Sequence, residues 1–141
     1  WGSKYLTSSF FEKIVDNKKN LLLFSASKND SNDIFAMSMC VKNKNNLWGR
    51  YWGSQEDISN LHFELCYYQP IEWAIKNSIL FFDPGAGGKH KRRRGFFAKS
   101  TISLHKWFDK NMENIIYPWL NEVNKQNERE IEFQNNSIPF K

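Results

Sequence analysis

Hydrophobic positions along the chain change their period several times, and each change predicts an element. Residues 4–17, KYLTSSFFEKIVDN, place Phe10, Phe11, Ile14 and Val15 at helical spacing. Thr7 or Ser8 stands where a helix cap belongs. LLLFSAS (21–27) is a short apolar run that predicts a strand, and NDSND (29–33) after it is turn chemistry. IFAMSMCVK (34–42) alternates as a second strand, and NKNN (43–46) turns the chain again. LWGRYWGS (47–54) predicts a third strand, and Gly49 inside it points to a bulge or a close backbone approach.

Residues 57–77, DISNLHFELCYYQPIEWAIKN, return to helical spacing through Leu61, Leu65, Tyr68, Ile71 and Ile75, with Asp57 or Ser59 near the start. Pro70 lies inside and is expected to kink or split that helix. SILFFDPG (78–85) reads as a buried strand stopped by Asp83-Pro84-Gly85, and KSTISLHKWF (99–108) as another strand. Residues 110–130 form an amphipathic helix pattern interrupted by Pro118, and 131–141 read as a tail. A three-strand antiparallel meander followed by a helical crossover predicts a parallel pairing of the third and fourth strands. The expected class is α/β, with a mixed sheet flanked by helices.

Composition narrows the picture. A chain of 141 residues suits one domain, here 1–141, and the 16% aromatic share supplies a core that a disordered segment lacks. Two cysteines, Cys40 and Cys66, are too few for a disulfide scaffold, and no Cys/His spacing marks a metal site. A reducing, cytoplasmic setting follows as the simplest expectation. No apolar run approaches the ~18 residues of a membrane span. The chain starts at Trp1-Gly2 without Met or the basic and apolar regions of a signal peptide, so a piece of a longer protein is expected.

The net charge of +5 is local. In DPGAGGKHKRRRGF (83–96), three glycines within four residues precede six residues that carry five formal positive charges and His90. A solvated charge run, a nuclear address and a nucleic-acid arm all fit the charges. The flanking glycines and apolar runs favour an anion clamp, in which Gly85, Gly87 and Gly88 let the backbone approach a ligand. Lys89, His90, Lys91 and Arg94 would then grip phosphate or carboxylate groups.

Four blocks carry a resemblance: WGRYWG (48–53), LHFELCYYQPIE (61–72), PGAGGKHKRRRGF (84–96) and SLHKW (103–107). In order and spacing they resemble the FemAB-like peptidoglycan biosynthesis/recognition family, whose members are similar to GNAT-superfamily N-acyltransferases. WGSKYLTSSFFE (1–12) resembles the family's entry into this domain, so the likeness covers roughly residues 1–125. It implies a GNAT-like fold, the second of two such domains, with an N-terminal GNAT-like domain as partner. It also implies transfer of an acyl or aminoacyl group to an amine in cell-wall precursor metabolism. Two positions depart: Gly87 and Lys89 stand where the family has Gln and Glu.

Such chemistry needs a held donor, a group that takes the amine's proton, and a stabilised oxyanion. SQEDISN (54–60) carries two acids and no glycine-rich turn, which is poor for the pyrophosphate of acyl-CoA. Aminoacyl-tRNA is the donor that the resemblance offers beside acyl-CoA. A nucleotide-sugar or lipid-linked precursor is the corresponding anionic partner.

Glu64 is the candidate general base and His62 the second choice. Helical spacing puts His62, Cys66, Gln69 and Trp73 on one face and Glu64, Tyr67, Tyr68 and Ile71 on another. Arg50, Tyr51, Trp52, Tyr67, Tyr68 and Gln69 are candidate substrate contacts, with Arg50 and Trp52 on one strand face and Tyr51 on the other. Arg50 serves equally well as a structural partner of Glu64 or Asp83. HFELC resembles a zinc deaminase's H-x-E only superficially, since no P-C-x-x-C follows. Two rival readings remain: a GNAT-like module that binds a cell-wall or nucleic-acid ligand through the basic loop 85–94 without catalysis, and an accessory nucleic-acid domain acting through residues 89–94.

Overall fold

A computed structural model describes residues 6–28 and 32–139. The expected turn at 29–33 and the segment 1–12 fall partly outside them. The chain divides into two compact units, Trp1–Ala86 and Gly87–Lys141.

The first unit is built on a four-stranded sheet in the order β1 (Leu21–Ser27), β2 (Ile34–Lys42), β3 (Asn46–Ser54), β4 (Phe81–Asp83). β1–β2 and β2–β3 are antiparallel, and β3–β4 is parallel. The expected mixed sheet is therefore present. β4 spans three residues of the eight anticipated, because Ser78 turns at φ 54 and pairing starts only at Phe81.

Leu22 and Phe24 of β1 stand opposite Cys40 and Ser38 of β2, so their side chains share one face of the sheet. That face carries the core, in which Cys40, Leu47 and Ala74 are buried and Leu22, Phe24, Trp73, Ile79 and Phe82 pack around them. On the other face Phe11 meets Tyr51 edge-on at 6.1 Å.

The first helix is shorter than its pattern. α1 covers Ser8–Ile14 and tightens into a 3-10 stretch, Val15–Asn20. Thr7 precedes it without a side-chain cap bond, and Val15 is exposed rather than part of an apolar face. The crossover helix starts at Leu61, not near Asp57, because Asn60 adopts a left-handed φ of 65 and ends the turn before it. It continues as α2 (Leu61–Phe63), a π turn (Glu64–Tyr68) and α3 (Gln69–Lys76).

In the second unit the basic run is not an open loop. Lys89–Arg94 coils into a 3-10 turn, opened by Gly88 (φ 89) and closed by Gly95 (φ 84). The strand expected at 99–108 does not form, and residues 96–107 have no regular structure. Ile102 and Leu104, the apolar positions that suggested it, are almost fully exposed, so its alternation has no sheet to pack on. α4 (Lys110–Ile116) is capped by Asp109, whose carboxylate accepts from the Asn111 N–H at 2.7 Å. Pro118 lies in a 3-10 break, Tyr117–Trp119, as its missing N–H requires. α5 (Leu120–Asn136) then runs six residues into the stretch expected to be a tail.

Candidate functional site

The π turn is the organising feature of the first unit, and Pro70 explains it. A proline inside a helix cannot donate to the preceding turn, and its ring crowds the carbonyl four residues back. Here the preceding turn widens: the Gln69 N–H reaches the Glu64 carbonyl, five residues earlier. The Leu65 carbonyl then loses two donors at once. Its α-helical donor, Gln69, is already engaged, and its π-type donor would be the N–H that Pro70 lacks. Ser38 supplies the replacement, its buried hydroxyl donating to the Leu65 carbonyl at 2.5 Å. A serine in the core of β2 is thus the counterpart of a proline in the helix.

Widening the turn re-sorts the faces that α-helical spacing had predicted. Residues five apart lie about 140° apart around an α-helix, yet here the Gln69 Nε2 donates to Glu64 Oε1 at 2.8 Å. Glu64 and Gln69, assigned from periodicity to different faces, are neighbours. The buried positions become Leu65, Tyr67, Pro70 and Ala74, while Tyr68 and Ile75, expected inside, are 49% and 74% exposed. π turns of this kind occur frequently at functional sites.

His62 sits among rings. Trp52, Phe63 and Tyr67 meet it at 5.5, 5.3 and 5.6 Å, each near edge-on. Trp52 reaches that group because of a bulge. Met39 pairs with Tyr51 and Cys40 with Gly49, so Arg50 is the extra residue of β3. The bulge resets the alternation, placing Trp52 on the helix side with Leu47 and Gly49. Arg50 is exposed there and, among the described residues, forms no ion pair with Glu64 or Asp83. Gly49 also lies close to other backbone: a Cβ there would sit 3.5 Å from Pro84.

Cys66, behind this group, is a poor nucleophile. Burial pushes its thiol up to about 11. Cys40 is pushed to about 12 by burial and, secondarily, by Cys66. Both thiols are held neutral.

The second unit carries the charge. Residues 87–141 hold eleven Lys and Arg against six Asp and Glu, while residues 1–86 hold nine of each. The whole net charge of +5 therefore belongs to the second unit. Within the basic turn, Lys89 lies 3.8 Å from Glu130, Arg92 donates to Ser137, and Arg94 donates to the His90 carbonyl at 3.0 Å. Arg93, absent from the sequence-derived set, is exposed. The His90 ring lies over Gly88, where an added Cβ would come within 2.6 Å of it. Burial lowers the His90 pKa below the ordinary imidazole value, and Arg94 and Lys91 lower it further. Gly87 also has a positive φ of 71, with open space around it. In the first unit, the Gly85 N–H donates to Asp83 Oδ1 at 2.8 Å, so its own amide closes the Asp-Pro-Gly turn.

One group was missed by residue-level reading although its block had been recognised. His105 accepts or donates to Ser103 at 2.9 Å and stacks on Trp107 at 5.9 Å. His105 and Trp107, with Lys106, Phe108, Lys110, Glu113 and Tyr117, line a depression of about 410 Å³. The signal was the SLHKW string itself.

Among the described residues, no cluster of His, Cys, Asp or Glu has the makings of a metal site, and no helix is long and apolar enough to cross a membrane. A family model for FemAB-like proteins of peptidoglycan biosynthesis/recognition matches residues 1–141. No curated protein and no solved structure matches the chain.

Proposed function

The chain belongs to the FemAB-like family of peptidoglycan biosynthesis/recognition proteins, and on that premise we propose that it is an N-acyltransferase moving an acyl or aminoacyl group onto an amine. The observation that carries the reading is the Glu64–Gln69 pair. An exposed carboxylate is oriented on one oxygen by an amide, with its other oxygen left to a substrate, on the same helix as His62 and Tyr67, whose rings pack with Trp52.

In the proposed reaction the acceptor amine attacks the carbonyl carbon of the donor, a thioester in acyl-CoA or an ester in aminoacyl-tRNA. The amine proton passes to Glu64 as the C–N bond forms. Collapse of the tetrahedral adduct breaks the C–S or C–O bond and leaves an amide, and the proton held by Glu64 passes on to the leaving thiolate or ribose oxygen. Gln69 orients the base through its side-chain amide. A GNAT-like arrangement of the sheet belongs to the same proposal. The basic turn of the second unit, taken by itself, is proposed to bind phosphate-bearing ligands through Lys91, Arg93, Arg94 and His90.

A second reading has one observation in its favour. Lys89, which replaces the family's Glu, lies near Glu130 instead of offering a carboxylate. A module that binds a cell-wall ligand without transferring anything fits that change. The deciding experiment offers labelled acyl-CoA and aminoacyl-tRNA with an amine-bearing peptidoglycan precursor. Amide product from either donor supports transfer, and precursor binding without product supports the binding module.

A further inference from the structure

The end of α5 grips the basic turn at separate points, and we infer that Asn135 is a positioning residue for the anion-binding turn, with Ser137 as its support. The inference rests on the anion-binding reading of residues 88–94 given above. After Gly95 the chain has neither helix nor strand to fix it. A backbone in that state must find partners for its N–H and C=O elsewhere. At Ala98 one side chain supplies both. Asn135 Oδ1 accepts from the Ala98 N–H at 2.7 Å, and Asn135 Nδ2 donates to the Ala98 carbonyl at 3.0 Å. Among uncharged side chains, only an amide offers a donor and an acceptor side by side in this way.

The second grip lies inside the turn. Arg92 Nη1 donates to the Ser137 hydroxyl at 2.8 Å, and that hydroxyl donates to the Phe133 carbonyl at 2.7 Å. Arg92 thus stands at the C-terminus of α5, where unsatisfied carbonyls favour a cation. The exposed Lys89–Glu130 approach at 3.8 Å adds little. Two of the five cations are therefore directed to α5, and the Phe96 N–H closes the turn on the Lys91 carbonyl. Anchored at Arg92 and Ala98, the intervening backbone holds the Arg93 and Arg94 side chains in one arrangement. Pre-ordering of this kind lowers the entropy lost when an anion binds.

The test uses the full chain, with inorganic pyrophosphate as the probe. Titration at two salt concentrations is combined with amide exchange at Ala98. For Asn135→Ala we expect Ala98 exchange to rise about tenfold or more and pyrophosphate to bind about fivefold more weakly. The salt dependence should stay that of the parent, because every charge remains. Asn135→Gln, which keeps the amide, should recover part of the affinity. Arg93→Ala with Arg94→Ala should instead flatten the salt dependence. Unchanged exchange at Ala98 in Asn135→Ala overturns the inference, as does faster exchange with unchanged affinity. A parent that binds no pyrophosphate at either salt overturns the anion reading itself. The Ala98 exchange result separates that failure from a failure of the Asn135 grip.

Discussion

Removing the Ser38 hydroxyl should expose the strain that Pro70 puts into the crossover helix. Ser38 is 2% exposed and its hydroxyl donates to the Leu65 carbonyl, which neither Gln69 nor Pro70 serves. Ser38→Ala leaves that carbonyl buried and unpaired, which costs about 1–3 kcal/mol. Pro70→Ala restores an N–H at the π-type donor position. In the Ser38→Ala background it should therefore return part of the loss. On its own it should be neutral or mildly destabilising, since removing a proline frees the unfolded chain by about 0.4–1 kcal/mol. The double variant should be more stable than the two single losses predict by about 1 kcal/mol. Urea unfolding followed by tryptophan fluorescence measures all four corners of the cycle. At ordinary urea sensitivities of about 1–3 kcal/mol per molar, Ser38→Ala should move the midpoint by roughly 1 M. Effects that add within about 0.5 kcal/mol would show that serine and proline are independent, and would refute the orphaned-carbonyl account.

Three further outcomes follow from the same geometry. Both thiols keep their protons in the fold to about pH 11–12, against an ordinary value of 9.0, so the unfolded chain sheds them first. Their contribution is fully present below pH 9 and is lost as pH rises toward 12. The parent should lose stability over that window faster than a Cys40→Ala/Cys66→Ala variant, and both thiols should resist a disulfide reagent at pH 7 until the chain is unfolded. His90 should titrate below the ordinary imidazole value by NMR. Pyrophosphate bound at the turn should raise that pKa in the same NMR titration, and an unmoved value would count against contact between His90 and the anion. Gly88→Ala meets both a φ of 89 and the His90 ring, and should weaken pyrophosphate several-fold while leaving Cys40 and Cys66 as protected as in the parent.

Much of the first unit was legible in the sequence. The turn clusters and apolar runs located β1 and β2 to the residue and β3 within one, because turn residues end each run and the next run pairs with it directly. Gly49 correctly announced a bulge. What periodicity could not supply was its consequence, since one extra residue at Arg50 reverses the faces of Tyr51 and Trp52. Pro70 announced an interruption, but a break, a kink and a π turn share that signal. Only the last brings Glu64 and Gln69 together. In the second unit, alternation over KSTISLHKW suggested a strand, and a strand exists only where another backbone pairs with it. The grip of Asn135 on Ala98 spans 37 residues and leaves no local trace in the sequence.

The central claim is that Glu64 takes the acceptor's proton. Its most direct test is the single-turnover rate of acyl or aminoacyl transfer, measured against pH for the parent and for Glu64→Gln. The substitution keeps the shape and a hydrogen bond to Gln69 but removes the base. The account predicts a rate lower by ~10²-fold or more across the pH range and an unchanged unfolding midpoint. A Glu64→Gln variant that transfers at the parental rate contradicts it.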